Sequence, residues 1–121
     1  DASYSLGMGA VSLGIHSKAS GHSSHAEGSA TEASGNNSHA EGSGTEASGE
    51  NSHAEGYTTI ASGNNSHVEG AWTVASSNYQ HVQGKYNAED TKSKYAHIVG
   101  WGSSDTDRKN IHTLDTDGNA W

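Results

Sequence analysis

The chain contains no cysteine, no proline and no phenylalanine, and a single methionine, among 121 residues. Without cysteine there is neither a disulfide framework nor a thiolate metal site, so other forces must hold the fold. No apolar run approaches the length of a membrane span or a signal-peptide core, which argues against membrane insertion. Basic residues are scarce: 6 Lys plus Arg stand against 14 Asp plus Glu, giving a net charge of −8. That balance disfavours a phosphate backbone, and hence nucleic acid, as a partner. Core-forming side chains are also short in supply, the hydrophobic fraction being 30%. A chain this small buries a limited share of its surface even when apolar residues are plentiful, and this composition alone would read as disorder.

What is present is periodic. Charged residues make up only 17% of the chain, and the 16 glycines recur with Ser, Ala, His and Glu at a fixed interval. Ser24-His25-Ala26-Glu27-Gly28 returns 14 residues on from Ser38, again from Ser52, and from Ser66 as Ser-His-Val-Glu-Gly. It fades as Gln80-His81-Val82-Gln83-Gly84. A second run, Thr31-Glu32-Ala33-Ser34-Gly35, recurs from Thr45, Thr59 and Thr73. Upstream, Ala10-Val11-Ser12-Leu13-Gly14 and Ser17-Lys18-Ala19-Ser20-Gly21 keep the frame. A repeat of this kind signals a stack of like units rather than one globular core.

Both runs alternate in character between Gly, Ser and Asn spacers, which marks short strands with two unlike faces. Ser24, Ala26 and Gly28 share one face, His25 and Glu27 the other; Thr31, Ala33 and Gly35 oppose Glu32 and Ser34. Small residues on one face of both strands predict a flat, all-β solenoid with a thin interior. The Thr column at 31, 45, 59 and 73 then faces inward and presents no flat surface to ice. So thin an interior buries few methylenes, worth about 0.8 kcal/mol each, against the cost of ordering a Gly-rich chain. An outer face packed against further copies would supply the missing burial. Two columns compete for that role. One reads Val11, His25, His39, His53, His67, His81, beside Leu13, Glu27, Glu41, Glu55, Glu69, Gln83; the other reads Lys18, Glu32, Glu46, Ile60, Val74. The first begins apolar, and the run Ser3-Tyr4-Ser5-Leu6-Gly7 reads as its partial forerunner, so the first is the expected interface.

The run Ala10–Gly14 followed by Ser17–Gly21 resembles the head repeat of trimeric autotransporter adhesins. That resemblance implies a left-handed parallel β-roll, three rolls packed about a common axis, and an inter-chain face built on Val11 and Leu13. The departure is that this face, aliphatic in the family, turns to His and Glu after one coil. Tyr95–Gly102, Asp107–Asn110 and Leu114–Trp121 resemble the stretch that follows such repeats in bacteriophage tail fibres and neck appendages. There it leads into a self-cleaving intramolecular chaperone; the sequence stops at Trp121, so no cleavage residue is carried over. The expected organisation is a roll over 1–87 and a hairpin-containing β segment, truncated, over 88–121.

On this basis His25, Glu27, His39, Glu41, His53, Glu55, His67, Glu69 and His81 form a trimer-axis network in which each carboxylate takes a hydrogen bond from a neighbouring imidazole. Such polar pairing fixes register where an apolar seam would slip. Two other readings stand beside it. An axial metal or anion could be held by His25, His39, His53 and His67, with no other cofactor implied, or the His row could simply be solvated. Tyr57, Trp72 and Tyr79 appear only in later coils, as candidate sugar-stacking residues or, with Tyr86, as caps on the end of the stack. Asp117-Gly118 predicts a hairpin turn, since the acidic spacing from Asp115 to Asn119 fails the calcium-loop pattern. No isolated catalytic constellation stands apart from the repeats, so this segment is not read as an enzyme. The expectation is a structural and receptor-binding piece of a homotrimeric phage fibre or appendage, carried on the virion and contacting a host-surface receptor or glycan. The head of a bacterial surface adhesin, located at the cell surface, is the alternative, and self-cleaving or glycan-degrading activity would lie outside this segment.

Overall fold

A computed structural model describes residues 4–121. The chain is an all-β parallel β-solenoid of about six turns with coils of roughly 14 residues, and the described residues contain no helix. Each coil contributes one strand to each of two sheets. The six-stranded sheet contains β1 (Tyr4–Ser5), β3 (Lys18–Ala19), β5 (Glu32–Ala33), β7 (Glu46–Ala47), β9 (Ile60–Ala61) and β11 (Val74–Ala75). The eight-stranded sheet contains β2 (Val11–Ile15), β4 (His25–Ser29), β6 (His39–Ser43), β8 (His53–Ala54), β10 (His67–Val68), β12 (His81–Lys85), β13 (Tyr95–Trp101) and β14 (Asn110–Asp115). Residues one 14-residue period apart pair across the parallel ladders: Val11 with His25, His25 with His39, His39 with His53, His53 with His67 and His67 with His81. One expectation is corrected here. The run from Tyr4 to Leu6 does not precede Val11 in the His column; Tyr4 pairs with Lys18 and belongs to the six-stranded sheet. The 14-residue frame itself requires this, because position 4 is one period before position 18, and Ser3 of that run lies outside the described residues.

The interior holds one column of small side chains from each sheet. Ala19, Ala33, Ala47, Ala61 and Ala75 of the six-stranded sheet are fully buried, as are Ala26, Ala40 and Ala54 of the eight-stranded sheet, whose column enlarges to Val68, Val82 and Ile98 towards the C-terminal end. Most polar groups in this interior are satisfied locally, the buried Thr31 hydroxyl being an exception. Ser24, Ser38, Ser52 and Ser66 donate their hydroxyls to the carbonyls of Gly21, Gly35, Gly49 and Gly63 at 2.6–2.7 Å. Thr45, Thr59 and Thr73 donate to the carbonyls of Glu41, Glu55 and Glu69 at 2.8–3.1 Å. The Thr column is therefore inside, as the alternation predicts.

Two features force the sequence to glycine and asparagine. At Gly42 the backbone has φ +105°, and an added Cβ would stand 2.2 Å from the carbonyl oxygen of Gly56 in the next coil. Only a residue without Cβ lets coils stack at strand spacing through such a bend. At one corner of the roll Asn37, Asn51 and Asn65 adopt φ of 58–59°, a left-handed conformation that Asn tolerates better than most residues. Their side chains form a ladder, Asn37 Nδ2 donating to Asn51 Oδ1 at 3.0 Å and Asn51 Nδ2 to Asn65 Oδ1 at 3.1 Å.

The solenoid sheet continues past residue 87. β13 pairs with β12 in parallel register, His81 opposite His97 and Lys85 opposite Trp101. β14 then returns antiparallel to β13 and occupies the end of the sheet. After β14 the chain turns back on itself: the Asp115 carboxylate accepts hydrogen bonds from the backbone N–H of Asp117 at 3.0 Å and of Asn119 at 2.8 Å. Thr113 and Trp121 then exchange backbone hydrogen bonds of 3.1 and 2.8 Å, closing a hairpin around Gly118.

Candidate functional site

The first candidate is the outer face of the eight-stranded sheet. The imidazoles of His25, His39, His53, His67 and His81 stack with centroids 4.7–4.8 Å apart and planes within 9° of parallel, the repeat being that of the strands beneath. Between them run the carboxylates. Glu27 Oε1 lies 3.2 Å from His39 Nε2, Glu41 Oε1 3.0 Å from His53 Nε2, Glu55 Oε1 3.2 Å from His67 Nε2, and Glu69 Oε1 3.1 Å from His81 Nε2. A carboxylate can only accept, so each Nε2 carries the proton and donates it. The second oxygen of Glu27, Glu41 and Glu55 sits 3.8–4.0 Å from the histidine of its own coil. Each of these carboxylates therefore touches two imidazoles, and the polar ladder runs from coil to coil within one chain. The His53 hydrogen bond is the main cause of a Glu41 carboxyl held below the ordinary range; burial opposes it, and Glu55 and the charges of His39 and His53 assist.

The ladder ends where its partner residues change. Leu13 occupies the position that would serve His25, and Gln83 the position that would serve His97. Among the described residues, His25 Nε2 and His97 Nε2 have no hydrogen-bond partner. His97 continues the stack, tilted by 37° at 5.2 Å from His81, and His112 meets it edge-on at 5.8 Å. Burial first, then the charges of His81 and His112, push the His97 pKa down. The two-residue lengthening of the coil between His81 and His97 takes His97 out of the 14-residue frame, so periodicity alone could not find it.

Neighbouring His, Glu and His donor atoms fall within 4.8 Å in three places, around Glu27, Glu41 and Glu55. Parallel rings carry parallel ring-nitrogen directions, however, and bonds of about 2.0–2.1 Å to one ion require two imidazoles to converge. As stacked, one chain offers a single imidazole and a carboxylate to any point, so the metal reading depends on donors from elsewhere. Beside the ladder, where the glycine column leaves no side chains, an open groove of about 460 Å³ is lined by Glu41, Gly42, Glu55, Gly56, Glu69 and Gly70.

The later aromatics divide between two corners. Trp72 stacks on Tyr86 at 5.8 Å and meets Tyr57 edge-on at 6.1 Å. Arg108 locks that corner: its guanidinium lies 5.6 Å from the Tyr86 ring centroid and donates to the carbonyls of Trp72 at 2.8 Å and Asn87 at 3.3 Å. Tyr79 stands apart, at the corner that carries the asparagines in earlier coils. Sequence reasoning missed the residues that close the array. Buried Gln80 donates to Asp90 Oδ2 at 3.1 Å and to the Tyr95 carbonyl at 2.9 Å, and its own oxygen accepts from the Ser76 N–H at 3.2 Å. Asp90 Oδ2 also accepts from the Tyr95 N–H at 2.8 Å, and Asp90 Oδ1 from the Lys92 N–H at 3.0 Å. The one available signal was Gln80 itself, standing where earlier coils have Ser24, Ser38, Ser52 and Ser66.

No protein-family model matches the chain, and no curated protein shows significant sequence similarity to it.

Proposed function

We propose that this chain is a shaft segment of a left-handed homotrimeric β-roll, in a bacteriophage tail fibre or neck appendage that attaches to a host surface. The observation that carries this reading is the outer face of the eight-stranded sheet. Val11 and Leu13, in register with the His and Glu columns, are 47% and 57% exposed, Ile15 beside them is 57% exposed, and Trp101 at the opposite end is 53% exposed. An interior made mostly of alanine contributes little burial of its own, so covering these side chains is the available source of further stability. The polar middle of the face is ready to be covered, because four of its carboxylates already hold an imidazole N–H at 3.0–3.2 Å. A paired carboxylate costs far less to bury than a bare one. Three copies about one axis would bring three ladders together and set their register coil by coil. In this role the segment is mechanical and adhesive rather than catalytic.

Sedimentation equilibrium tests the reading. The expected mass is three times that of the 12.5 kDa chain, and Leu13→Asp should shift it towards one chain. A folded species that sediments as a single chain at all concentrations would overturn it.

A further inference from the structure

We propose that the corner between Tyr79 and Tyr95 is a carbohydrate-binding site, with the exposed face of Tyr79 as the platform on which a pyranose ring lies. The corner encloses a cavity of about 320 Å³ lined by Asn78, Tyr79, Ser93, Tyr95, Ala96 and Thr116. Two aromatic rings beside short amide and hydroxyl side chains suit a ligand with one C–H face and a rim of hydroxyls. Lys94 Nζ sits 5.1 Å from the Tyr95 ring centroid, which leaves Tyr79 as the open ring.

Tyr79 is placed there against its own conformational preference. It has φ +62° and donates its backbone N–H to the Asn64 carbonyl at 2.9 Å, as Asn65 does to Glu50 and Asn51 to Asn36 at 2.8 Å. The backbone position is thus the one that asparagine fills in three earlier coils, and a bulky aromatic residue is strained there. Replacing Asn also ends the side-chain ladder at Asn65. Burial does not compensate, because Tyr79 is 75% exposed, and among the described residues no other ring lies against it. The contrast with Trp72 is direct: Trp72 shares the strained backbone, at φ +58°, but is covered by Tyr86 and hydrogen-bonded through its carbonyl to Arg108. Trp72 is a cap. Strain that packing leaves uncompensated, beside a formed cavity, points to a ligand.

The walls of the cavity are pre-set. Tyr95 is fixed by Asp90 and Gln80 through its N–H and carbonyl. Ser77 donates its hydroxyl to the Asp90 carbonyl at 2.6 Å and accepts the Ser93 N–H at 3.0 Å, and the Thr116 N–H donates to the Lys94 carbonyl at 3.0 Å. A site whose walls are held by hydrogen bonds of this kind loses little freedom when a ligand enters. The assignment takes its biological purpose from the attachment reading, but its test does not depend on chain association.

The experiment is saturation-transfer NMR on the whole chain with glucose, galactose, N-acetylglucosamine, N-acetylgalactosamine, rhamnose and glucuronic acid as probes, alongside thermal melts. At least one probe should receive saturation through its ring C–H protons. Tyr79→Asn, which restores the residue of the earlier coils, should weaken that binding about tenfold or more while leaving the melting temperature equal or higher. Failure of all six probes on the wild-type chain would overturn the proposal, as would undiminished binding by Tyr79→Asn. A lower melting temperature for Tyr79→Asn would show a structural cap instead. Trp72→Ala supplies the opposite control, expected to lower the melting temperature and, where the chain remains folded, to keep the probe contact. Because these readouts concern one corner of one chain, a monomeric protein that binds sugar would sink the trimer and spare the site, and a trimer that binds none would do the reverse.

Discussion

The coils from His25 to Gly70 and the closing coil from Ser76 to Tyr95 are built on opposite plans. In the first, one residue type serves one role at every level: Ser caps a glycine carbonyl, Asn turns a corner, Gly admits the next coil, and His meets Glu. In the second, each role passes to a different residue and the replacements bond to one another, with Gln80 and Asp90 buried at the centre. A repeated coil depends on contacts with the coils above and below, so it is stable only as part of a stack. The closing coil has no further 14-residue unit above it, and its polar groups are met by one another and by Arg108, Asn110 and the strand β13 laid upon it. The difference teaches where single changes will propagate and where they will stay local.

The sharpest way to break the regular plan is to add one carbon to its tightest column. Gly42→Ala puts a Cβ 2.2 Å from the Gly56 carbonyl oxygen, a backbone atom that can move only if two coils separate. The expected loss is about 4 kcal/mol or more, read as a collapse of the urea midpoint. Gly118→Ala is the matched control, since it has φ +92° and nothing within 4 Å of the added Cβ. It should cost about 1–2 kcal/mol, the conformational part alone. Equal losses for the two would mean that coil spacing is not what demands glycine.

The closing plan is tested next by removing its central carboxylate. Asp90→Ala leaves the Gln80 amide and the Tyr95 and Lys92 N–H groups without their acceptor, and Gln80 and Asp90 are both buried. Orphaned donors of this kind predict a loss of about 3 kcal/mol in chemical denaturation. Glu41→Gln is the counterpart in the ladder, where the side chain is a third exposed, and should cost about 0.5 kcal/mol. If Glu41→Gln proved the more damaging of the two, the ladder rather than the closing coil would be the stress-bearing polar network.

These contrasts follow how far the sequence could be read. The period placed His39 over His53 and Thr45 inside, because a parallel stack converts sequence interval directly into neighbourhood. The pairing of His with Glu was anticipated from the cost of a bare carboxylate, but its direction, each Glu reaching the histidine of the following coil, is a matter of side-chain reach that spacing does not encode. The Asn column looked like a spacer, and its ladder of amide hydrogen bonds emerges only when left-handed corners stack. Least legible was the closing coil. Its two-residue insertion hid His97, and the role of Asp90 depends on a loop whose path no periodicity describes.

The smallest effect separates the two plans by pH. The His97 pKa is lowered, so its neutral form is favoured in the fold; as pH falls below 6.5 the unfolded chain takes up that proton first and stability is lost down to the lowered folded value. The Glu41 pKa is lowered as well, so its contribution is complete above 4.5 and disappears only as pH falls through the lower folded value. Acidification should therefore loosen the stack around β13 before it loosens the ladder around β6 and β8. Amide hydrogen exchange, corrected for its intrinsic pH dependence, should show protection falling first at Ile98 and Val99, while Ala40 and Ala54 hold theirs until the carboxylate range. Simultaneous loss in both segments would mean that the closing coil and the ladder unfold as one cooperative unit, and that their different construction does not divide the molecule energetically.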